Sequence, residues 1–158
     1  MIAYMTMSPN GFNVSLDFSL EPPVWFFSHE LVKEALLQMS ILISVYNDIV
    51  SVRHEILPQK SGHIDNIIPL LIYHKGLTAQ EATNFGVEII QISYKSFRSF
   101  EPQLYALGQE NNIATEVDAF LQGCINFCVG SLQWTYHANR YFDCTPDWGD
   151  GEMSVVLG

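Results

Sequence analysis

Apolar residues recur at helical spacing through a segment that begins near residue 29 and ends near residue 57. Steps of three and four residues place them on one face of a helix. These positions are Val32, Leu36, Met39, Ile43, Tyr46 and Val50. From residue 41 to 46 the segment is apolar almost all round, which predicts a helix buried inside a larger helical body. Ser28 is expected to cap its start and Pro58 to end it.

Cap residues predict two further helices after this one. Residues 66–74 form a short helix, which Gly76 closes in the position that glycine favours. Thr78 and Glu81 have the spacing of a capping box, a hydroxyl followed three residues later by a carboxylate. They open a helix that is expected to run to about Phe100.

The last third of the chain is expected to hold two more helices. Pro102 starts a short one, since proline suits the first helical position. Gly108 and the asparagines at 111–112 are expected to break it. Thr115 then caps a long helix that runs towards Asn139.

The chain is therefore expected to be all-α, with about five helices in a single partial domain. Residues 1–28 are expected to be irregular, residues 29–142 helical and residues 143–158 an irregular tail. Pro9-Asn10-Gly11 predicts a turn. No convincing pair of strands is found in the sequence.

Composition narrows the classes of function. Of 158 residues, 7 are Lys or Arg and 17 are Asp or Glu, for a net charge of −10. So acidic a chain is a poor candidate for binding nucleic acid or an anionic membrane surface. No signal peptide is evident, and no apolar run reaches the ~18 residues of a membrane span. An odd number of cysteines argues against a secreted disulfide scaffold. A cytoplasmic location is therefore expected.

A polar stripe follows the apolar helix. Asn47, Ser51 and Glu55 are four residues apart, so their side chains project from one helix face. An amide carbonyl, a hydroxyl and a carboxylate are hard ligands that suit Mg²⁺. A solvated helix face explains the same spacing. The burial of the preceding turns favours a bound metal and anion, because polar groups at the end of a buried helix need partners.

The other polar candidates are weaker. Cys124 and Cys128 are one helical turn apart, with His137 downstream. Zinc needs three or four ligands in closed geometry, so buried core thiols are the preferred interpretation. Ser51 and His54 lack the orienting acid and oxyanion site of a nucleophilic pair.

The pattern Asn-Asp-x-x-Ser-x-x-x-Glu from Asn47 to Glu55 resembles the second metal motif of class I terpene synthases. The Arg140-Tyr141 pair, preceded by Trp134, is similar to a pair near the C-terminus of fungal and bacterial members. It also lies at a similar distance from Asn47. The segment Leu20-Glu21-Pro22-Pro23 resembles the stretch before the motif helix. The resemblance covers roughly residues 15 to 145 and is closest to fungal sesquiterpene synthases.

The resemblance implies a fold and a set of ligands. The fold is the C-terminal part of the class I terpene synthase α-helical bundle. Asn47, Ser51 and Glu55 would ligate one Mg²⁺ of a trinuclear cluster. Arg140 and Tyr141 would hydrogen-bond the substrate diphosphate, through a planar guanidinium fork in the first case.

The implied reaction is Mg²⁺-dependent ionisation and cyclisation of a prenyl diphosphate, with farnesyl diphosphate expected, to a sesquiterpene with release of diphosphate. His54 occupies the place where members often carry a lysine that reaches the diphosphate. Aromatic rings can stabilise the resulting cation, although ordinary core packing explains most of them equally well. The aromatic candidates are Trp25, Phe26, Tyr46, Phe127, Trp134 and Tyr136.

The sequence also departs from the family pattern. It has no aspartate-rich D-D-x-x-D motif, Asp17 is isolated, and no arginine precedes Arg53. The chain therefore resembles only the C-terminal half of a synthase. The alternative is a catalytically inactive, truncated or degenerate helical protein. An apolar face left exposed in half a bundle predicts self-association.

Overall fold

A computed structural model describes the backbone of residues 5–8, 11–14, 22–56 and 65–137, and the side chains of residues 22–52 and 65–137. Five helices occupy this part of the chain. They are α1 (Val24–Ser28), α2 (Glu30–Ile56), α3 (Ile67–Lys75), α4 (Ala79–Glu110) and α5 (Ala114–His137). The all-α prediction is confirmed. The predicted tail, residues 143–158, lies outside the described residues.

Two short strands precede the helices, β1 (Met5–Ser8) and β2 (Gly11–Val14). They pair antiparallel, with Met5 opposite Val14 and Ser8 opposite Gly11. The expectation of no strand pair is therefore wrong. Each strand has four residues, the shortest run in which the alternating strand pattern is recognised, so the signal is weak. The hairpin lies against α5 through β1 and is a small addition to a helical body.

His29, not Ser28, caps the start of α2. Ser28 ends α1, a turn of helix in a segment expected to be irregular, whereas His29 has an extended backbone with φ −73 and ψ 137. The N–H of Leu31 donates to His29 Nδ1 at 3.3 Å. The imidazole nitrogen thus takes the place usually filled by a serine or aspartate oxygen. The predicted cap at Ser28 is wrong because α1 intervenes.

The central helix, α2, packs against each of the other four. Its buried apolar residues include Val32, Ala35, Met39, Leu42 and Val45. They join a core that also contains Phe26 of α1, Phe97 and Leu104 of α4, and Val117, Phe120 and Leu121 of α5. Leu36, predicted to face the core, is 38% exposed. Val32, Met39 and Val50 are buried as predicted. Ala35, Leu42 and Val45 are more deeply buried than the predicted neighbours Leu36, Ile43 and Tyr46.

By length and composition, residues 30–52 of α2 are apolar enough to cross a membrane. The sequence analysis expected no apolar run long enough for a membrane span. The core helix of a globular protein, however, meets the same criteria of length and hydropathy. Because α2 contacts four other helices, the core explanation fits its surroundings. No membrane span is assigned, and the cytoplasmic location stays a prediction.

Both ends of α3 are capped, and the cap predicted at Gly76 is confirmed. At its start, Asn66 Oδ1 accepts a hydrogen bond from the Ile68 N–H at 2.9 Å. At its end, Gly76 has a left-handed backbone, φ 66, which glycine adopts without steric cost.

The capping box of α4 is also confirmed. Thr78 Oγ1 accepts from the Glu81 N–H at 3.2 Å, and Glu81 Oε2 accepts from the Thr78 N–H at 2.8 Å. The Thr78 hydroxyl also donates to Glu81 Oε2, at 2.8 Å. The bonds from the Thr78 N–H and hydroxyl lower the pKa of the Glu81 carboxyl below its usual range, because they favour the charged form.

The predicted break in α4 near Phe100 is wrong, since the helix continues through Pro102 to Glu110. Proline deletes one backbone hydrogen bond within a helix. Arg98, whose carbonyl loses that bond, and Pro102 are both exposed, so water can replace the missing donor. Phe97 and Leu104, on either side, are fully buried. Their packing overrides the local preference of proline.

Gly108 marks a close approach of helices, not a helix break. A Cβ there would lie 2.9 Å from Val117 Cγ2 and 3.2 Å from the Cα of Ala114, both in α5. The turn follows at Asn112, whose φ is 56. Because α5 already begins at Ala114, Thr115 lies inside the helix and the predicted cap is wrong.

Candidate metal site

The predicted stripe lies on the last three turns of α2. Asn47 is half-buried and Ser51 is 2% exposed. Glu55 lies on the same helix two turns after Asn47, and its side chain lies outside the described residues, as does that of His54. The four-residue spacing therefore falls on one continuous helix, as expected. The ligand roles of these residues stay predictions.

The start of α3 packs directly against this part of α2. Asn66 is 1% exposed, and its Nδ2 donates to the Asp48 carbonyl at 2.8 Å. The same nitrogen lies 3.5 Å from Ser51 Oγ. In the same direction, from α3 to α2, the Ile67 N–H donates to Asp48 Oδ2 at 2.8 Å. The buried hydroxyl of the stripe thus lies at the junction of two helices.

An apolar cluster packs next to this junction. Val52, Ile68 and Ala82, from α2, α3 and α4, are buried together. Gly86 of α4 brings that helix close to α2, because a Cβ on Gly86 would lie only 3.1 Å from Ile49 Cδ1. Three helices therefore fix the backbone that carries the stripe.

One pair of the candidate aromatic residues lies beside the stripe. The rings of Tyr46 and Tyr136 meet edge to face, with centroids 6.3 Å apart. This contact joins the residue before Asn47 to the end of α5. In contrast, Phe26 is fully buried and packs on Phe120 at 5.2 Å, so it is a core residue.

The remaining aromatic candidates are less buried. Trp25 and Phe127 are 42% and 41% exposed, whereas Trp134 is half-buried.

The cysteines behave as buried thiols, as predicted. Burial raises the pKa of Cys124 to about 12, with a smaller contribution from neighbouring Cys128, and raises that of Cys128 to about 11. A metal ligand must be a thiolate, which these surroundings disfavour. Among the side chains that the structure describes, no three His, Cys, Asp or Glu residues converge as a metal site.

A comparison with known families decides the identity of the chain. The family described as terpene synthase family 2, C-terminal metal binding, matches residues 12–96, which is more than half of the chain. The chain belongs to this family.

Curated members of the terpene synthases align over most of the chain. A sesquiterpene synthase of Cyclocybe aegerita is 30% identical over 124 residues, which cover 78% of this chain and 34% of that protein. The silphinene synthase of Penicillium patulum is 30% identical over 123 residues, covering 78% of this chain and 32% of that protein. The chain thus spans about a third of the length of these relatives.

The fold is shared with a solved terpene synthase. The structure of the linalool/nerolidol synthase from Streptomyces clavuligerus, in complex with 2-fluorogeranyl diphosphate, superposes with a TM-score of 0.64 and 22% identity. The superposition covers 73% of this chain and 39% of that one. The expected terpene synthase helical fold is confirmed.

The family match includes only part of the predicted site. Asn47, Ser51 and Glu55 fall within residues 12–96. Arg140 and Tyr141 fall beyond the match and outside the described residues. Their roles as diphosphate donors stay predictions.

The contacts of Asp48 and Asn66 were not predicted. Asp48 was visible as the second residue of the motif, and Asn66 as the first residue of the short helix expected over 66–74. Their contact joins residues 18 positions apart and depends on how α3 turns back on α2. Residue spacing within one helix carries no signal for such a contact.

Proposed function

We propose that the chain supplies the second metal motif of a terpene synthase, with Asn47, Ser51 and Glu55 binding one Mg²⁺. The observation that carries this proposal is a buried hydroxyl in a stripe of hard ligands. Ser51 is 2% exposed at the polar end of an apolar helix, within the region that matches a metal-binding family. Hard oxygen ligands of this kind suit Mg²⁺.

The donor set fits such an ion. Asn66 Nδ2 lies 3.5 Å from Ser51 Oγ, and a hydroxyl oxygen has two lone pairs, so one donor leaves room for a cation. The amide carbonyl of Asn47 and the carboxylate of Glu55 complete a set of two neutral ligands and one anion. That charge count predicts weak binding by the stripe alone and leaves the ion free to attract a diphosphate.

The proposed reaction is loss of diphosphate from a prenyl diphosphate to leave an allylic cation. When bound, a hard dication neutralises the charge that grows on the leaving group. Arg140 would donate a bidentate pair of hydrogen bonds to the diphosphate oxygens, and Tyr141 would donate from its hydroxyl. His54 would donate when protonated, as a weaker fixed charge than lysine. The rings of Tyr46 and Tyr136 lie beside the stripe, where an aromatic face can stabilise a cation.

A sesquiterpene precursor is the proposed substrate. Relatives that align with most of the chain are named as sesquiterpene synthases, which supports farnesyl diphosphate. The solved neighbour holds a fluorinated geranyl diphosphate, which supports the prenyl diphosphate class.

The second candidate is a catalytically inactive helical protein that associates with itself. The observation that favours it is the absence of a D-D-x-x-D sequence from the 158 residues. Large apolar side chains are also exposed on α4 and α5, namely Phe85, Ile92, Tyr94, Phe127 and Val129. Exposed apolar surface of this kind promotes association. Sedimentation velocity over a range of concentrations tests it, and a monomer at every concentration would contradict it.

Calorimetric titration of inorganic diphosphate, with and without Mg²⁺, separates the two candidates. Binding that requires Mg²⁺ is expected in the parent chain and should be lost in Glu55→Ala and Arg140→Ala. Glu88→Ala is the matched control, since it removes an exposed carboxylate from α4. An absence of binding in a folded, helical sample would contradict the metal motif proposal. If Glu88→Ala and Glu55→Ala weakened diphosphate binding equally, the change in overall charge would explain the effect.

A further inference from the structure

Asn66 makes more contacts than a helix cap needs. Its Oδ1 caps α3 by accepting from the Ile68 N–H. A serine or threonine would supply that acceptor equally well. The amide nitrogen makes the additional contacts, at 2.8 Å to the Asp48 carbonyl and 3.5 Å to Ser51 Oγ. Both are directed at the helix that carries the stripe.

Asp48 reaches back to the same segment. Its Oδ2 accepts from the Ile67 N–H at 2.8 Å. Asp48 therefore accepts two short hydrogen bonds from the start of α3, one at its backbone carbonyl and one at its carboxylate. We name this pair of bonds the Asp48–Asn66 clamp. Because the bonds use a backbone group on each side, they fix the rotation of α2 relative to α3 at the stripe.

The clamp also constrains the hydroxyl of Ser51. A side-chain amide is planar and has two N–H groups. The nitrogen that donates to the Asp48 carbonyl also lies 3.5 Å from Ser51 Oγ, within reach of a second, longer hydrogen bond. A donor at one lone pair restricts the rotation of the hydroxyl and leaves the other lone pair for a cation. Removal of a residue that orients a metal ligand in this way weakens metal binding by about 10- to 100-fold.

We propose that Asn66 is a positioning residue for Ser51, acting through the Asp48–Asn66 clamp. The inference rests on the proposed function, in which Ser51 is a metal ligand. It adds a residue outside the metal motif, on a different helix, to the set that determines metal affinity.

The test is Mn²⁺ binding in the presence of inorganic diphosphate, followed by the electron paramagnetic resonance signal of free Mn²⁺. Asn66→Ser keeps a cap for α3 and deletes both amide donors. It is expected to weaken Mn²⁺ binding about tenfold. Thr78→Ala is the matched control, because it deletes the cap of α4. That variant should bind Mn²⁺ as the parent chain does, even where it unfolds at a lower temperature.

A double-mutant cycle separates positioning from general destabilisation. If Asn66 acts through Ser51, Asn66→Ser should add no further loss of Mn²⁺ affinity to a Ser51→Ala chain. A tenfold loss in both backgrounds would overturn the inference, as would binding within twofold of the parent in Asn66→Ser. If the serine variant does not fold, Asn66→Thr replaces it in the same cycle. Failure of the parent chain to bind Mn²⁺ would instead refute the proposed function, and this inference with it.

Discussion

Gly108→Ala tests the close approach of α4 and α5 that the sequence did not predict. The new Cβ would lie 2.9 Å from Val117 Cγ2, 3.2 Å from Ala114 Cα and 3.3 Å from Val117 Cβ. Carbon atoms pack best at about 3.5–4.0 Å, so all three contacts are too short. One partner atom belongs to the backbone, and the side chain of a helical valine has one strongly preferred rotamer. The clash can be relieved only if the helices move apart.

Two opposing effects set the size of the change. Alanine is better than glycine inside a helix by about 1 kcal/mol. Overpacking of a core costs about 1–3 kcal/mol, and the upper half of that range applies where backbone atoms clash. We expect the free energy of unfolding to fall by about 1–2 kcal/mol. For a chain of this size each kcal/mol lowers the melting temperature by about 2–4 °C.

Urea and thermal unfolding, followed by circular dichroism at the helical minimum, measure this loss. Gly86→Ala is the control, because its Cβ would meet Ile49 Cδ1 at 3.1 Å, at the flexible end of a side chain. Its stability should change by less than about 1 kcal/mol, since the helix preference offsets a mild clash. If Gly108→Ala were more stable than the parent by the full helix preference, the close approach of α4 and α5 would be refuted.

Three further variants test the backbone and the core. Pro102→Ala restores a helical N–H. The free energy of unfolding, measured in urea, should rise by about 2 kcal/mol, because the helix preference of alanine exceeds the entropy gained by the unfolded chain. A fall in this free energy would show that the proline suits its position. Gly76→Ala should lose about 1 kcal/mol in the same assay, because φ is 66 there; an unchanged value would contradict the left-handed cap. The thiols of Cys124 and Cys128 keep their protons to pKa values of about 12 and about 11, whereas unfolded thiols lose theirs from about 9. Their contribution to stability is full below that lower value and is lost as the pH rises above it, because the unfolded chain then binds fewer protons. Urea unfolding on either side of pH ~9 should show this decline in the parent and a smaller one in the Cys124→Ala, Cys128→Ala double variant; equal declines would refute it.

Local chemistry explains which parts of the fold could be predicted. The caps at Gly76 and Thr78 were predictable because each depends on one residue and the few backbone groups beside it. The continuation of α4 through Pro102 was not, because buried residues on both sides of it decide the outcome. The cap of α2 at His29 was not predicted, because histidine is not among the residues that usually cap the start of a helix. Here its ring nitrogen accepts from the Leu31 N–H.

The candidate site, likewise, could be predicted only in part. A spacing of four residues on a long helix was enough to predict that Asn47, Ser51 and Glu55 share a face. The sequence could not show that Ser51 is 2% exposed and lies against the start of α3, because that burial depends on how the two helices pack.

The burial of Ser51 bears on why a polar residue is there. Its contact with Asn66 Nδ2, at 3.5 Å, is long for a hydrogen bond and contributes less than the ~1 kcal/mol of a typical one. An alanine would fill almost the same volume beside the buried Val52, without a hydroxyl to desolvate. Folding stability therefore gives little reason for a hydroxyl at this position. A cation ligand does give one, because the free lone pair of a buried and oriented hydroxyl is pre-organised for an ion. Ser51→Ala should then change the free energy of unfolding by less than about 1 kcal/mol while it lowers metal affinity. A variant that lost stability and kept its affinity would reverse this argument.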